Sequence, residues 1–105
     1  MKPPIVINEA RAPYFSGDVN FYDSTEEACL AMEPIDVQDQ RYFAFDGDGV
    51  RLNIHTDGKK IWLSPTREVD KDALIGLIKD YLDRMKTASG KEWVLGYLSK
   101  IIGRW

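Results

Sequence analysis

The sequence has little of the residues from which metal sites and covalent cross-links are built. Among its 105 residues there is one cysteine, Cys29, and one histidine, His55. A structural zinc site takes about four nitrogen or sulfur ligands and a disulfide takes a pair of cysteines, so one chain can form neither. A lone cysteine also fits a reducing compartment. We therefore expect no metal and no cofactor.

Sequence motifs of catalysis are also missing. There is no glycine-rich phosphate loop, no G-x-S-x-G motif and no dinucleotide fingerprint in the chain. Cys29 and His55 could form a nucleophilic pair, but nothing in the sequence places the third group that would orient the histidine. The sequence thus predicts no enzymatic activity and no catalytic residues.

The segment 46–49, Asp-Gly-Asp-Gly, resembles the start of a calcium-binding loop. An EF-hand needs an oxygen ligand, a glycine and a glutamate at later positions, where this chain has Val50, Arg51 and Asp57. Glycine and aspartate tolerate the backbone angles of tight turns. We therefore interpret this segment as a hairpin turn.

No long hydrophobic run is present. A membrane span needs about 18 consecutive apolar residues, and Ile5-Val6-Ile7 after the first four residues is too short for a signal peptide. A chain of this length with 44% hydrophobic residues can bury one core. We expect a single cytoplasmic domain over residues 1–105.

Charge of one sign dominates the first half of the chain. Residues 1–58 carry four basic and eleven acidic side chains, a net −7, and residues 59–105 carry ten basic and six acidic, a net +4. A surface of one sign steers the encounter with an oppositely charged partner. The alternative is that the two halves interleave in the fold, so that their charges mix on the surface.

Alternation of apolar and polar residues predicts strands at 19–22, 35–37, 42–45, 50–54 and 61–63, the last four as an antiparallel meander. Period two places Phe43, Phe45, Leu52, Ile54 and Leu63 in the core. Tyr42, Ala44, His55 and Trp62 then share the other side. If helices cover that side, Trp62 is an ordinary core residue.

Three helices are predicted, near 24–32, 70–87 and 90–102. Ser24 with Glu27 has the spacing of a capping box, and Pro34 should end the first helix. Asp70 is the predicted N-cap of the second helix, where Gly76 suggests a close contact. The apolar stripe of the second helix is Leu74, Leu77, Ile78, Tyr81, Leu82 and Met85. The expected fold is α+β, with about four antiparallel strands, one short N-terminal helix and two C-terminal amphipathic helices.

The segments 17–28, GDVNFYDSTEEA, and 33–37, EPIDV, resemble small bacterial immunity proteins. The resemblance covers residues 15–57, as a strand, a helix and an acidic meander, and is to those paired with toxins of contact-dependent growth inhibition systems. It implies a cytoplasmic protein that binds one cognate toxin domain, often a nuclease, and covers its active site or substrate surface. The family has no shared catalytic residues, so the resemblance assigns none.

Acidic side chains suit such a partner, because a nuclease binds a polyanion and carboxylates can stand in for phosphates. Aromatic residues are enriched in binding hot spots. Two alternatives remain: a regulatory or structural interaction module, and a nucleic-acid binder using basic residues of the C-terminal helices. The predicted partner-binding residues are Asp18, Tyr22, Asp23, Glu26, Asp36, Asp39, Tyr42, Asp46, Asp48, Asp57 and Trp62.

Overall fold

The computed structural model of the protein describes residues 1–9, 19–84 and 95–96. Five strands and three helices are formed in these ranges. In chain order they are β1 (Ile5–Glu9), β2 (Val19–Tyr22), α1 (Thr25–Ala31), α2 (Pro34–Gln38), β3 (Tyr42–Phe45), β4 (Val50–Thr56), β5 (Ile61–Val69) and α3 (Lys71–Arg84).

The strands form one antiparallel sheet in the order β2-β1-β3-β4-β5. β1 lies inside the sheet, where Val6 pairs with Phe21 of β2 on one side and with Phe45 of β3 on the other. Its first four residues are all buried. The strand with the most thoroughly buried side chains is therefore the one nearest the N-terminus.

The predicted fold class is α+β, as found, but its element layout is wrong. The sheet has five strands instead of about four, because Ile5–Glu9 is a strand that the sequence prediction did not include. The predicted strand at 35–37 is part of α2. Pro34 occupies the first turn of that helix, where its missing N–H and fixed φ are tolerated, so it both limits α1 and begins α2.

The C-terminal helices are only partly within the described residues. The helix predicted at 70–87 is α3, from Lys71 to Arg84, and residues 85–87 lie outside the described ranges. The helix predicted at 90–102 also lies outside them, except for residues 95–96, which are helical. In the part of the chain that is described, no helix has the length and apolar character needed to cross a membrane.

Helices cover both faces of the sheet, which gives two clusters of buried side chains. On one face Val6, Val19 and Phe45 pack with Leu74, Ile78 and Leu82 of α3. On the opposite face Ile5, Ile7, Ala44, Leu52 and Leu63 pack with Ala28 of α1 and with Met32. The buried stripe of α3 confirms the helical spacing predicted for it.

Cross-strand pairing corrects the predicted faces of β3. Leu52 pairs with Ala44, and Phe45 pairs with Arg51, so Phe43 and Phe45 lie on the side opposite to Leu52. A shift of one residue in register inverts every side chain of a strand. The predicted faces of β4 and β5 are correct, because Ile54 pairs with Leu63 and His55 with Trp62.

The helix caps predicted at Ser24 and Asp70 are confirmed, and the one predicted at Ser89 lies outside the described residues. Ser24 Oγ accepts a hydrogen bond from the Glu27 amide at 3.1 Å, and Asp70 Oδ1 accepts one from the Ala73 amide at 3.0 Å. These bonds satisfy backbone donors that a helix leaves unpaired at its start. The close contact predicted at Gly76 is not found among the described residues, where an added Cβ would have no atom within 4 Å.

Candidate protein-binding surface

The two short helices α1 and α2 lie on the same face of the sheet, and their outer side forms an exposed surface. Ala28 of α1 is fully buried against the sheet, and Val37 of α2 packs against the same cluster. We call the outer side the α1–α2 surface. It consists of the exposed residues Asp23, Glu26, Glu27, Leu30, Glu33, Ile35 and Asp39, together with the half-buried Asp36.

The α1–α2 surface is strongly acidic. Residues 23–39 include six acidic side chains and no lysine or arginine. Arg41 follows this stretch, and its Nε lies 3.8 Å from Asp36 Oδ1 and 3.9 Å from Asp39 Oδ2. Exposed pairs at such distances contribute about 0 to 1 kcal/mol. Arg41 therefore offsets only part of the negative charge.

Tyr42 fixes α2 to the sheet. Its hydroxyl donates to Asp36 Oδ2 at 3.4 Å and accepts a hydrogen bond from the Glu33 amide at 3.3 Å. Burial raises the pKa of Tyr42, the Glu33 amide opposes that change, and the negative charges of Asp36 and Glu9 reinforce it. The phenol therefore stays protonated at neutral pH and keeps its hydrogen bonds with both Asp36 and the Glu33 amide.

Two large apolar side chains stand among these carboxylates. Leu30 of α1 is 87% exposed and Ile35 of α2 is 63% exposed. Single exposed apolar residues are common on protein surfaces. Two of them on neighbouring helices, with acidic residues between and around them, are arranged like the apolar centre and polar rim of a protein interface.

The structure brings together four of the predicted partner-binding residues: Asp23, Glu26, Asp36 and Asp39 belong to the α1–α2 surface. Tyr22 is half-buried on the same face of the sheet, where burial, and then the charge of Glu9, raise its pKa. Asp18 lies outside the described residues. The remaining predicted carboxylates are found in hairpin turns.

Asp46 forms part of the turn that joins β3 to β4. It is 4% exposed, and its Oδ1 accepts hydrogen bonds from the amides of Asp48 at 2.9 Å and Val50 at 3.0 Å. The Asp48 carboxylate lies 3.9 Å from Lys2 Nζ. The carboxylate of Asp46 is thus used within the fold, and it offers little surface to a partner.

Asp57 stabilises the next turn in a similar way. Its Oδ1 accepts hydrogen bonds from the Lys60 amide at 2.8 Å and the Lys59 amide at 2.9 Å. These bonds, Lys60 first, lower the pKa of this exposed carboxyl. Asp57 lies in the turn between β4 and β5. This turn approaches the end of α2, since a Cβ at Gly58 would lie 3.8 Å from Gln38 Nε2.

Trp62 lies on the opposite face of the sheet. It is 48% exposed and stacks on its cross-strand partner His55, with ring centroids 5.6 Å apart and planes 17° from parallel. His55 Nε2 lies 2.7 Å from Ser64 Oγ. No acidic side chain bonds to His55 among the described residues, so the arrangement lacks the orienting carboxylate of a serine-type triad.

A cavity of about 460 Å³ lies between α3 and the sheet. Phe43, Phe45 and Leu77 provide its apolar walls, and Arg51 borders it. Gly76 contributes to the space, because no side chain projects from that position. Pockets of this size and character can hold small molecules. Among the described residues, the charged side chains that line it are Arg51 and Asp80.

Four residues of the α1–α2 surface were not among the predicted partner-binding residues: Glu27, Leu30, Glu33 and Ile35. The sequence predicts a strand at Ile35. It predicts a helix at Leu30 but does not indicate which side of that helix is exposed. The unbroken acidic character of residues 23–39 was the available signal. It indicates a surface more clearly than any single carboxylate does.

Comparison with models of known protein families, with curated proteins and with solved structures finds no match to this chain. In the described ranges, no group of three or more histidine, cysteine, aspartate or glutamate side chains is placed to hold a metal ion. The geometry and charge of the surfaces described above are the structural observations that bear on function.

Proposed function

We propose that this protein is an immunity protein that binds and neutralises a basic toxin domain of the nuclease class through its α1–α2 surface. The observation that carries the proposal is the run of six acidic residues without a basic one, located in α1 and α2 and at their ends, around exposed Leu30 and Ile35. Neutralisation would take place in the cytoplasm, where a nuclease finds its substrate.

Electrostatics supports a basic partner. A nuclease must attract a polyanion, so its substrate surface carries lysine and arginine. Carboxylates on the α1–α2 surface can form charge-assisted hydrogen bonds with those groups and occupy the positions of phosphates. Opposite charges also accelerate the encounter, which matters for an inhibitor that must act before the toxin does.

The resemblance to immunity proteins adds a second line of support. It covers residues 15–57, a span that includes α1 and α2 but also β2, β3 and β4. It therefore supports the class of function, and the charge and exposure of the α1–α2 surface support the site. In this proposal the protein acts by covering the toxin and performs no catalysis.

The proposal predicts that a toxin domain is encoded beside this gene, and the test is co-expression with that domain, with cell survival and binding of an inactive toxin as readouts. We expect wild type to protect cells and to bind with an association rate that falls as salt rises. Replacing Glu26, Glu33 and Asp39 by lysine should slow association by about tenfold or more at low salt, because charge acts mainly on the on-rate.

The matched control is the triple variant Glu68→Lys, Asp72→Lys and Asp83→Lys, which makes the same change in net charge on exposed residues of β5 and α3. It should bind nearly as fast as wild type. Absence of protection and of binding by wild type would contradict the proposal. Equal slowing by both triple variants would mean that only net charge matters, and that the α1–α2 surface is not the site.

A further inference from the structure

We infer that Leu30 and Ile35 form the apolar centre of the contact, and that they enter an apolar pocket of the toxin domain that is bordered by lysine or arginine. This inference rests on the proposed function and adds the anchor residues and the partner surface they require. It assigns the carboxylates of the α1–α2 surface to the rim of the same interface.

Both side chains point away from the sheet. Successive helical residues are about 100° apart, so a position two residues from a buried one lies on nearly the opposite side. Leu30 follows buried Ala28 by two positions, and Ile35 precedes half-buried Val37 by two. Because Ala28 and Val37 contact the same face of the sheet, Leu30 and Ile35 both lie on the outer side of this layer.

The pair is close enough to serve one interface. Five residues of chain separate their Cα atoms by at most about 18 Å, whereas a standard interface of about 800 Å² per partner is roughly 30 Å across. Neither side chain belongs to the two clusters of buried side chains, and they are 87% and 63% exposed. Their apolar area is thus available to a partner.

The surrounding charge selects that partner. A second copy of this chain would place six carboxylates opposite six others, which opposes symmetric association through this surface. Anionic lipid surfaces and nucleic acids are repelled for the same reason. A protein surface that is apolar at its centre and basic at its rim satisfies both the exposed side chains and the carboxylates.

An apolar centre and a charged rim affect binding at different steps. Rim charges act on association and its salt dependence, whereas contacts that are buried only in the final complex act on dissociation. Leu30→Ala and Ile35→Ala should each raise the dissociation rate of the inactive toxin domain used in the test of the proposed function by about tenfold. The double variant should raise it by about a hundredfold, with association changed less than about threefold.

Trp62→Ala is the matched control, because Trp62 is an exposed apolar residue on the opposite face of the sheet. It should leave the dissociation rate within about twofold of wild type. Thermal unfolding should be almost the same for wild type and the Leu30 and Ile35 variants, since truncating exposed side chains removes no core packing.

Three outcomes separate the possibilities. If wild type does not bind the toxin domain, both the proposed function and this inference fail. If wild type binds but the double variant dissociates at the wild-type rate, the proposed function stands and the apolar centre is wrong. If Trp62→Ala accelerates dissociation while the double variant does not, the contact lies on the other face of the sheet.

Discussion

The two sides of the sheet carry helices of different length and burial. α3 has 14 residues and buries Leu74, Ile78 and Leu82, whereas α1 and α2 have seven and five residues and bury only Ala28 between them. A long helix with a continuous apolar stripe contributes mainly to stability. The short helices contribute less to the core and have more of their side chains free for contact with a partner.

The largest expected difference between the two sides is in core packing. Ile78→Ala in α3 should lower the free energy of unfolding by about 2 to 5 kcal/mol, because it removes a fully buried side chain and leaves a cavity. Leu30→Ala in α1 should change it by less than about 0.5 kcal/mol. Urea denaturation of both variants measures this contrast, and similar losses would refute the division between the two layers.

A smaller effect on the free energy of unfolding is expected where α2 contacts the sheet. Tyr42→Phe removes the hydroxyl that joins Asp36 and the Glu33 amide, and should cost about 0.5 to 1.5 kcal/mol at neutral pH. Since the pKa of Tyr42 is raised above 10.0 in the fold, the stability that the neutral phenol provides is present below pH 10 and is lost as pH rises through the folded pKa. Chemical denaturation between pH 8 and pH 11 should show a smaller alkaline loss for Tyr42→Phe than for wild type.

The smallest expected effect is a gain of stability in α3. Gly76→Ala should stabilise the protein by up to about 1 kcal/mol, because alanine is the better helix former and its Cβ would meet no atom within 4 Å. Gly47→Ala is the contrasting variant, since its Cβ would lie 2.5 Å from the Pro3 carbonyl oxygen. Thermal unfolding should move upward for the first variant and downward for the second.

Local sequence signals predicted the parts of the fold that depend on neighbours in the chain. The stripe of α3 and the caps at Ser24 and Asp70 follow from helical spacing and from hydrogen bonds over three residues. The faces of β3 depend on pairing across the sheet, which spacing within the strand does not determine. β1 was missed because Ile5–Val6–Ile7 was considered only as a possible signal segment, although a short apolar run also suits a buried strand.

The candidate surface was only partly predicted, because the exposure of a side chain depends on how distant parts of the chain pack. Acidic residues are visible in the sequence, but only the fold distinguishes Asp46, bound by backbone amides in a turn, from Glu26, exposed on a helix. The exposed state of Leu30 and Ile35 depends on which side of each helix meets the sheet. An apolar residue looks the same in the sequence whether it is buried or exposed.

The break at Pro34 has a geometric consequence for recognition. In one uninterrupted helix, residues 30 and 35 would be about 140° apart around the axis, so a flat partner could not contact both side chains at once. Ending α1 at Ala31 and restarting the helix at Pro34 resets the angular phase between the two segments. An insertion or deletion of one residue at Met32–Glu33 would rotate Ile35 relative to Leu30 while leaving the composition of the surface almost unchanged. The spacing of this joint is thus itself a determinant of which partner the protein can recognise.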